Sequence, residues 1–169
     1  MFRKERKGYT TLQLKVALRS HRCTTLILDD ITAADNIPQP SKFPCFFIVN
    51  TSSDVDTPGH WLLLFFTRNS TLEYFDSLNK TPLHYSVHIE NYINEYCENQ
   101  YITNSFRVQP VNSFNCGPFC AYVADQRSQN VSFKQIMSQF EDTDLDINDH
   151  KVVQYYNNHI LSPGYRIGR

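Results

Sequence analysis

The sequence predicts an α+β fold, with one mixed central β-sheet of about five strands flanked by helices. Three observations carry this expectation. "HWLLLFF" (60–66) is apolar on both faces, as a central strand covered on two sides must be. "TLEYFDS" (71–77) follows after a short turn, "TRNS", and reads as its antiparallel partner. "SFKQIMSQF" (132–140) sets Phe133, Ile136, Met137 and Phe140 at i, i+3, i+4 and i+7, which is helical amphipathicity. The 169 residues suffice for one domain with a core and are few for two, so residues 1–169 are expected to form a single domain.

The other elements follow in order. Thr10 or Thr11 can cap a helix running to about Ser20, with Leu12, Leu14, Val16 and Leu18 at helical spacing. "TTLILDD" (24–30) reads as a strand, the proline-rich "AADNIPQPSKFP" as a surface loop, and "CFFIVN" (45–50) as a second strand. "TSSDVDTPG" is turn chemistry. Thr81 and Pro82 open a helix through "KTPLHYSVHIENYINEYCE". "YITNSFRVQ" (101–109) is read as a strand, "GPFCAYVADQ" as a helix with Pro118 in its first turn, and "DHKVVQYYNNHI" as a closing helix.

Composition narrows the function classes. Hydrophobic residues make up 41%, with 12 Phe and 10 Tyr against 5 Gly, which excludes a disordered or low-complexity chain. The net charge of -1 supplies no global field toward nucleic acid or a membrane, although "FRKERK" concentrates basic residues at the start. The longest apolar run, Trp61 to Phe66, is far below the roughly 20 residues of a membrane helix, and charges follow Met1 where a signal core would stand. A soluble, unexported protein without membrane contact is expected. Five cysteines at 23, 45, 97, 116 and 120, with no C-x-x-C pair, suggest neither a disulfide scaffold nor a zinc ribbon, so no metal is expected.

The candidate chemistry sits at element boundaries. If a three-residue loop centred on Arg68 closes the 60–76 hairpin, paired positions sum to 136 and His60 faces Asp76. A carboxylate so placed can hold an imidazole in the tautomer a general base needs. Cys116 begins a predicted helix, where N–H groups and the dipole favour a thiolate. Gly117 permits close approach of a substrate backbone, Asn115 can cap or orient the turn, and Gln109 can offer a side-chain donor to an oxyanion. Each also has a plain reading: a solvated His, an Asp ending a strand, a packed core thiol, a surface Gln.

As a set these residues are recognisable. "IVNT" with "HW" nine residues on, then "YFDS", then Q-x6-C-G-x-F-C resembles the adenain-like, adenovirus-type maturation proteases, cysteine endopeptidases also carried by virophages and virus-like DNA transposons. The order His, acid, Gln, Cys is shared with the wider clan of ubiquitin-like-protein proteases. The resemblance implies Cys116 as nucleophile, His60 as general base, Asp76 as its orienting acid, and an oxyanion hole of Gln109 and the Cys116 N–H. Asp76 stands where adenovirus enzymes often have Glu and the SUMO-protease branch has Asp. Trp61 would form part of the cleft wall, with the core as its plain alternative.

The resemblance further implies a monomer that cleaves viral capsid and structural precursor proteins, in the virion and the host cell interior, with no cofactor required for chemistry. DNA and a short viral peptide are its implied activators, with "FRKERK" as the DNA contact. The peptide-linking cysteine would fall near Cys97 or Tyr101, so a linked peptide is not carried over. Competing readings are an isopeptidase acting on a ubiquitin-like protein, a catalytically idle binding module, and a chymotrypsin-like viral protease, which the helix after Cys116 disfavours. His84 and His88 at i, i+4 read as surface histidines, Cys120 as core, and "DTDLDINDH" as a solvated acidic loop lacking the Gly and Glu of a calcium loop.

Overall fold

Helix α1 (Thr11–Ser20) starts from a capping box, in which the Thr10 hydroxyl accepts from Gln13 N while the Gln13 side chain accepts from Thr10 N. This computed structural model describes residues 8–53, 59–98 and 100–161. The basic start at 2–7, expected to meet DNA, and residues 54–58 of the expected turn lie outside the described residues.

A five-stranded sheet runs in the order β1 (Leu28–Ala33), β2 (Cys45–Asn50), β3 (Trp61–Phe66), β4 (Leu72–Phe75) and β5 (Tyr101–Thr103). The inner pairs β2–β3 and β3–β4 are antiparallel and the outer pairs parallel, so the sheet is mixed. Every residue of β3 is buried, as its two apolar faces require. Its odd-numbered residues Leu63 and Phe65 pack with Phe75 against α1 and the later helices α4 (Cys116–Ser128), α5 (Phe133–Met137) and α6 (Leu145–Tyr155). Its even-numbered residues Leu62, Leu64 and Phe66 join Tyr74, Ile89 and Ile93 on the other face, under α3 (Val87–Cys97). Burying each such side chain contributes about 1.5–3 kcal/mol, which is why α4, buried along its first ten residues, serves as the central helix.

Several boundaries differ from the sequence expectation, each for a local reason. Residues 24–27 form a turn, not a strand: the buried Thr24 hydroxyl donates to Leu18 O (2.6 Å) and Leu28 N to Thr24 O (2.9 Å). The helix expected from Thr81 breaks at Ser86, which is extended (φ -159°, ψ 130°) and caps α3 by accepting from His88 N. Serine competes with helical hydrogen bonding in this way. The break leaves the short α2 (Pro82–Tyr85) and removes the i, i+4 relation of His84 and His88. β5 stops at Thr103 because Asn104 turns back to β4. The last helix starts at Leu145, four residues early, and relaxes into a π-helical turn over Tyr156–Ile160.

A buried ion pair fastens sheet to helix at the far end. Arg127 Nε and Nη2 donate to the two carboxylate oxygens of Glu73 (2.6 and 3.1 Å), and the guanidinium lies over the Phe65 ring.

Candidate active site

His60 immediately precedes β3, and its backbone is fixed from both sides. Thr51 N donates to His60 O (2.9 Å), and His60 N donates to the Thr51 hydroxyl (3.0 Å). Gly59 makes this path available: a Cβ there would stand 2.0 Å from Asn50 Oδ1, closer than any atom pair tolerates.

The hairpin register differs from the one predicted. Leu63 faces Phe75 and Phe66 faces Leu72, so paired positions sum to 138, the three-residue loop is centred on Asn69, and Asp76 lies opposite Leu62. His60 and Asp76 are therefore diagonal neighbours. A slip of two preserves strand parity, so both remain on one face, and His60 Nε2 meets Asp76 Oδ1 at 2.5 Å.

Asp76 is fully buried and its carboxylate is saturated with donors. Oδ1 accepts from Leu78 N (3.0 Å) besides His60, and Oδ2 accepts from Lys80 N (2.7 Å) and the Tyr85 hydroxyl (2.8 Å). Tyr85 also stacks on the His60 ring, with centroids 5.3 Å apart and planes at 28°. The helix break at Ser86 leaves this tyrosine at the end of α2. Asn104 closes the other side, accepting from Asp76 N and donating to Asp76 O (2.8 Å).

Cys116 is the first residue of α4, 6% exposed, and its side chain is among the groups that raise the His60 pKa. With Nε2 held by Asp76, the ring's Nδ1 edge is the one left for the sulfur. The first N–H groups of the helix have no carbonyl a turn earlier to receive them. Burial lowers the His60 pKa, but the interactions with Asp76 and Cys116 outweigh it and push the value to about 9. Asp76 feels burial as an upward pressure, and the His60 contact with the two backbone donors carries it below its ordinary value. The imidazole is thus held protonated between an acid and a sulfur.

Two residues expected at the cleft have packed partners within the chain. A Cβ on Gly117 would lie 3.1 Å from both Leu14 and Tyr9, so the close approach that glycine permits is to the chain's own α1 and the segment before it. Trp61 is 3% exposed, sits in the core, and donates from Nε1 to Tyr9 O (2.9 Å). It holds the leading segment in place and presents little surface to a cleft. Cys120 is fully buried, its thiol donating to Trp61 O.

Gln109 is 2% exposed. Its Oε1 accepts from the Ser77 hydroxyl (2.5 Å) and its Nε2 donates to Ser113 O (2.9 Å), leaving the second amide hydrogen uncommitted. Ser77 O in turn accepts from Val108 N and Gln109 N, so the loop before Cys116 is sewn to the end of β4 one residue past Asp76. The acidic stretch read as solvated supports the same loop. Asp149 accepts from the Ser113 hydroxyl and from Asn115 Nδ2 (2.7 Å), and buried Asn148 donates to Val108 O (3.0 Å). Asn115 orients the turn through Asp149 and makes no side-chain cap.

His60 and Asp76 are thus hydrogen-bonded, Cys116 is electrostatically coupled to the same imidazole, and Gln109 is tied to Ser77, the residue beside Asp76. Sequence reasoning missed Tyr85, Asn104, Asn148 and Asp149. A break signal was present in Ser86 for the first; the others act across long sequence separations with no local signature.

No family model matches the chain, and no curated protein does. Among solved structures, the chain is similar to the ASFV pS273R protease, with a TM-score of 0.51 and 20% identity over 70% of this chain. The match spans 45% of that protease's length. The central domain of the uncharacterized Lpg1148 protein from Legionella pneumophila aligns with a TM-score of 0.48 and 10% identity, over 90% of this chain and 97% of that one. The mixed sheet with its flanking helices is therefore a fold shared with a viral protease.

Proposed function

We propose that this chain is an adenain-like cysteine endopeptidase of the ubiquitin-like-protease clan, cleaving the capsid and structural precursor proteins of a virus or virus-like element. The observation that carries the reading is the His60 imidazole bonded to buried Asp76 and coupled to Cys116, which begins a helix. The fold shared with a viral protease supports it.

The chemistry follows from these positions. The Cys116 sulfur attacks the scissile carbonyl carbon, and the oxyanion is received by the Cys116 N–H and the free hydrogen of Gln109 Nε2. The imidazolium of His60 gives its proton to the leaving amine. Neutral His60 then takes a proton from water as it attacks the thioester, and the carboxylate product leaves with the sulfur restored. Asp76, held by four donors, keeps the ring orientation through both steps. No cofactor enters the chemistry. A monomer acting in the virion and the infected cell, with peptide or DNA as activator, completes the reading.

Incubation with candidate precursor proteins, with and without DNA, followed by sequencing of new termini tests it. New termini with the wild type and none with Cys116→Ala are expected. Reaction with a ubiquitin-like vinyl-sulfone probe and no precursor cleavage would favour an isopeptidase instead.

A further inference from the structure

Away from this site, the end of α1 and the last turn of α4 meet in a group of three metal-binding side chains. His21 is the C-cap of α1, Cys23 stands in the turn that follows, and Asp125 projects from α4. One ligand atom from each lies within 4.8 Å of the others.

Nδ1 of His21 and Oδ1 of Asp125 stand at ion-pair distance, 3.2 Å apart, yet neither of these buried atoms has a hydrogen-bond partner. Asp125 is 1% exposed, and an unsatisfied carboxylate oxygen at that depth is costly. Two donor atoms on one tetrahedral zinc, with bonds of about 2.0–2.1 Å, stand about 3.3 Å apart. The observed spacing therefore suits a shared cation.

The surroundings already orient these groups as outer contacts of a metal site do. Asp125 Oδ2 accepts from Tyr155 Oη (2.5 Å) and Gln129 Nε2 (3.0 Å), which turns Oδ1 toward His21. Thr24, bonded to Leu18 O, and Thr25 N, bonded to His21 O, fix the turn that carries His21 and Cys23.

We propose that His21, Cys23 and Asp125 bind one zinc ion, with water as the fourth ligand. Binding displaces the Cys23 thiol proton to solvent, and the thiolate and carboxylate together balance the 2+ charge around a neutral imidazole. The ion braces α1 against α4, the two elements whose other ends meet at Gly117 beside the nucleophile.

Full-length Cys116→Ala protein, which removes a competing sulfur, is stripped with chelator and titrated with zinc and with cobalt. One equivalent of zinc with a Kd below about 1 μM, a thiolate-to-cobalt charge-transfer band, and a Tm raised by zinc are expected. Adding Cys23→Ser should remove the band and weaken zinc at least tenfold; His21→Gln should weaken it comparably. Both side chains are only partly buried, so these variants stay informative if Asp125→Asn does not fold. Failure to bind zinc, cobalt binding without the thiolate band, or zinc affinity in either variant equal to that of the Cys116→Ala parent would overturn the site.

Discussion

His60 and Asp76 form a 2.5 Å contact across strands in which they are not directly paired. Asp76 falls opposite Leu62, and His60 reaches it diagonally from two positions further along. The contact survives because a register change of two leaves the face of each side chain unaltered, whereas a change of one would have sent them to opposite faces.

This contact governs the pH dependence. His60, raised from 6.5 to about 9, retains its proton across the neutral range, so kcat/KM should hold up to about pH 9 and fall above it. Its folded pKa lies above the unfolded one, so its contribution to stability is full below about pH 6.5 and lost as pH rises through about 9. Asp76, lowered, contributes above its unfolded value of 3.8 and loses that as pH falls through the folded one. In Asp76→Asn the alkaline limb of the kcat/KM profile should move down; an unmoved limb would contradict the coupling.

Tyr85→Phe removes one hydroxyl donor from a buried carboxylate while keeping the ring on His60. A loss of about 1.5–3 kcal/mol in denaturant unfolding is expected. A roughly tenfold fall in kcat at little-changed KM should accompany it, because the ring's orientation suffers and substrate binding does not. Tyr85→Ala, which also loses the stacking, should be worse in both.

Gln109→Ala should lower kcat by about 10²–10³ if its amide hydrogen receives the oxyanion. Ser77→Ala supplies the contrast: it leaves Gln109 Oε1 buried without its donor, costing about 1–3 kcal/mol of stability. Its kcat should fall much less. Equal losses in the two variants would reduce Gln109 to a brace for the loop.

For the Glu73–Arg127 pair, Arg127→Met should destabilise by about 3–5 kcal/mol, since it strands a buried carboxylate. Burial raises the Glu73 pKa and Arg127 offsets this only in part. The combined Glu73→Gln, Arg127→Met protein should therefore regain most of the loss in thermal or denaturant unfolding.

Much of the fold was legible because burial is written in residue type: the six apolar residues of β3 and the spacing of Phe133, Ile136 and Met137 could hardly be anything else. His60, Asp76 and Cys116 were legible because each lies at the edge of an element, whereas Gln109, expected to close a strand, lies in the loop between β5 and α4. What escaped was set by contacts between distant segments. Ser86 breaks a helix whose apolar spacing continues past it, Asn104 abandons a strand to bind Asp76, and Asp149 leaves solvent to hold the Ser113–Asn115 turn. The packing of Gly117 against Tyr9 and Leu14, and the bond from Trp61 to Tyr9, also join segments far apart in sequence.

The central claim, that His60 makes Cys116 a nucleophile, is tested most directly by alkylation with iodoacetamide at neutral pH, read residue by residue by mass spectrometry. Cys116, though less exposed, should react at least about tenfold faster than Cys23 and Cys97, in keeping with its place at a helix N-terminus beside a protonated imidazole. His60→Ala should erase that advantage while the protein stays folded. Cys116 reacting no faster than the other thiols, or reacting equally fast without His60, would contradict it.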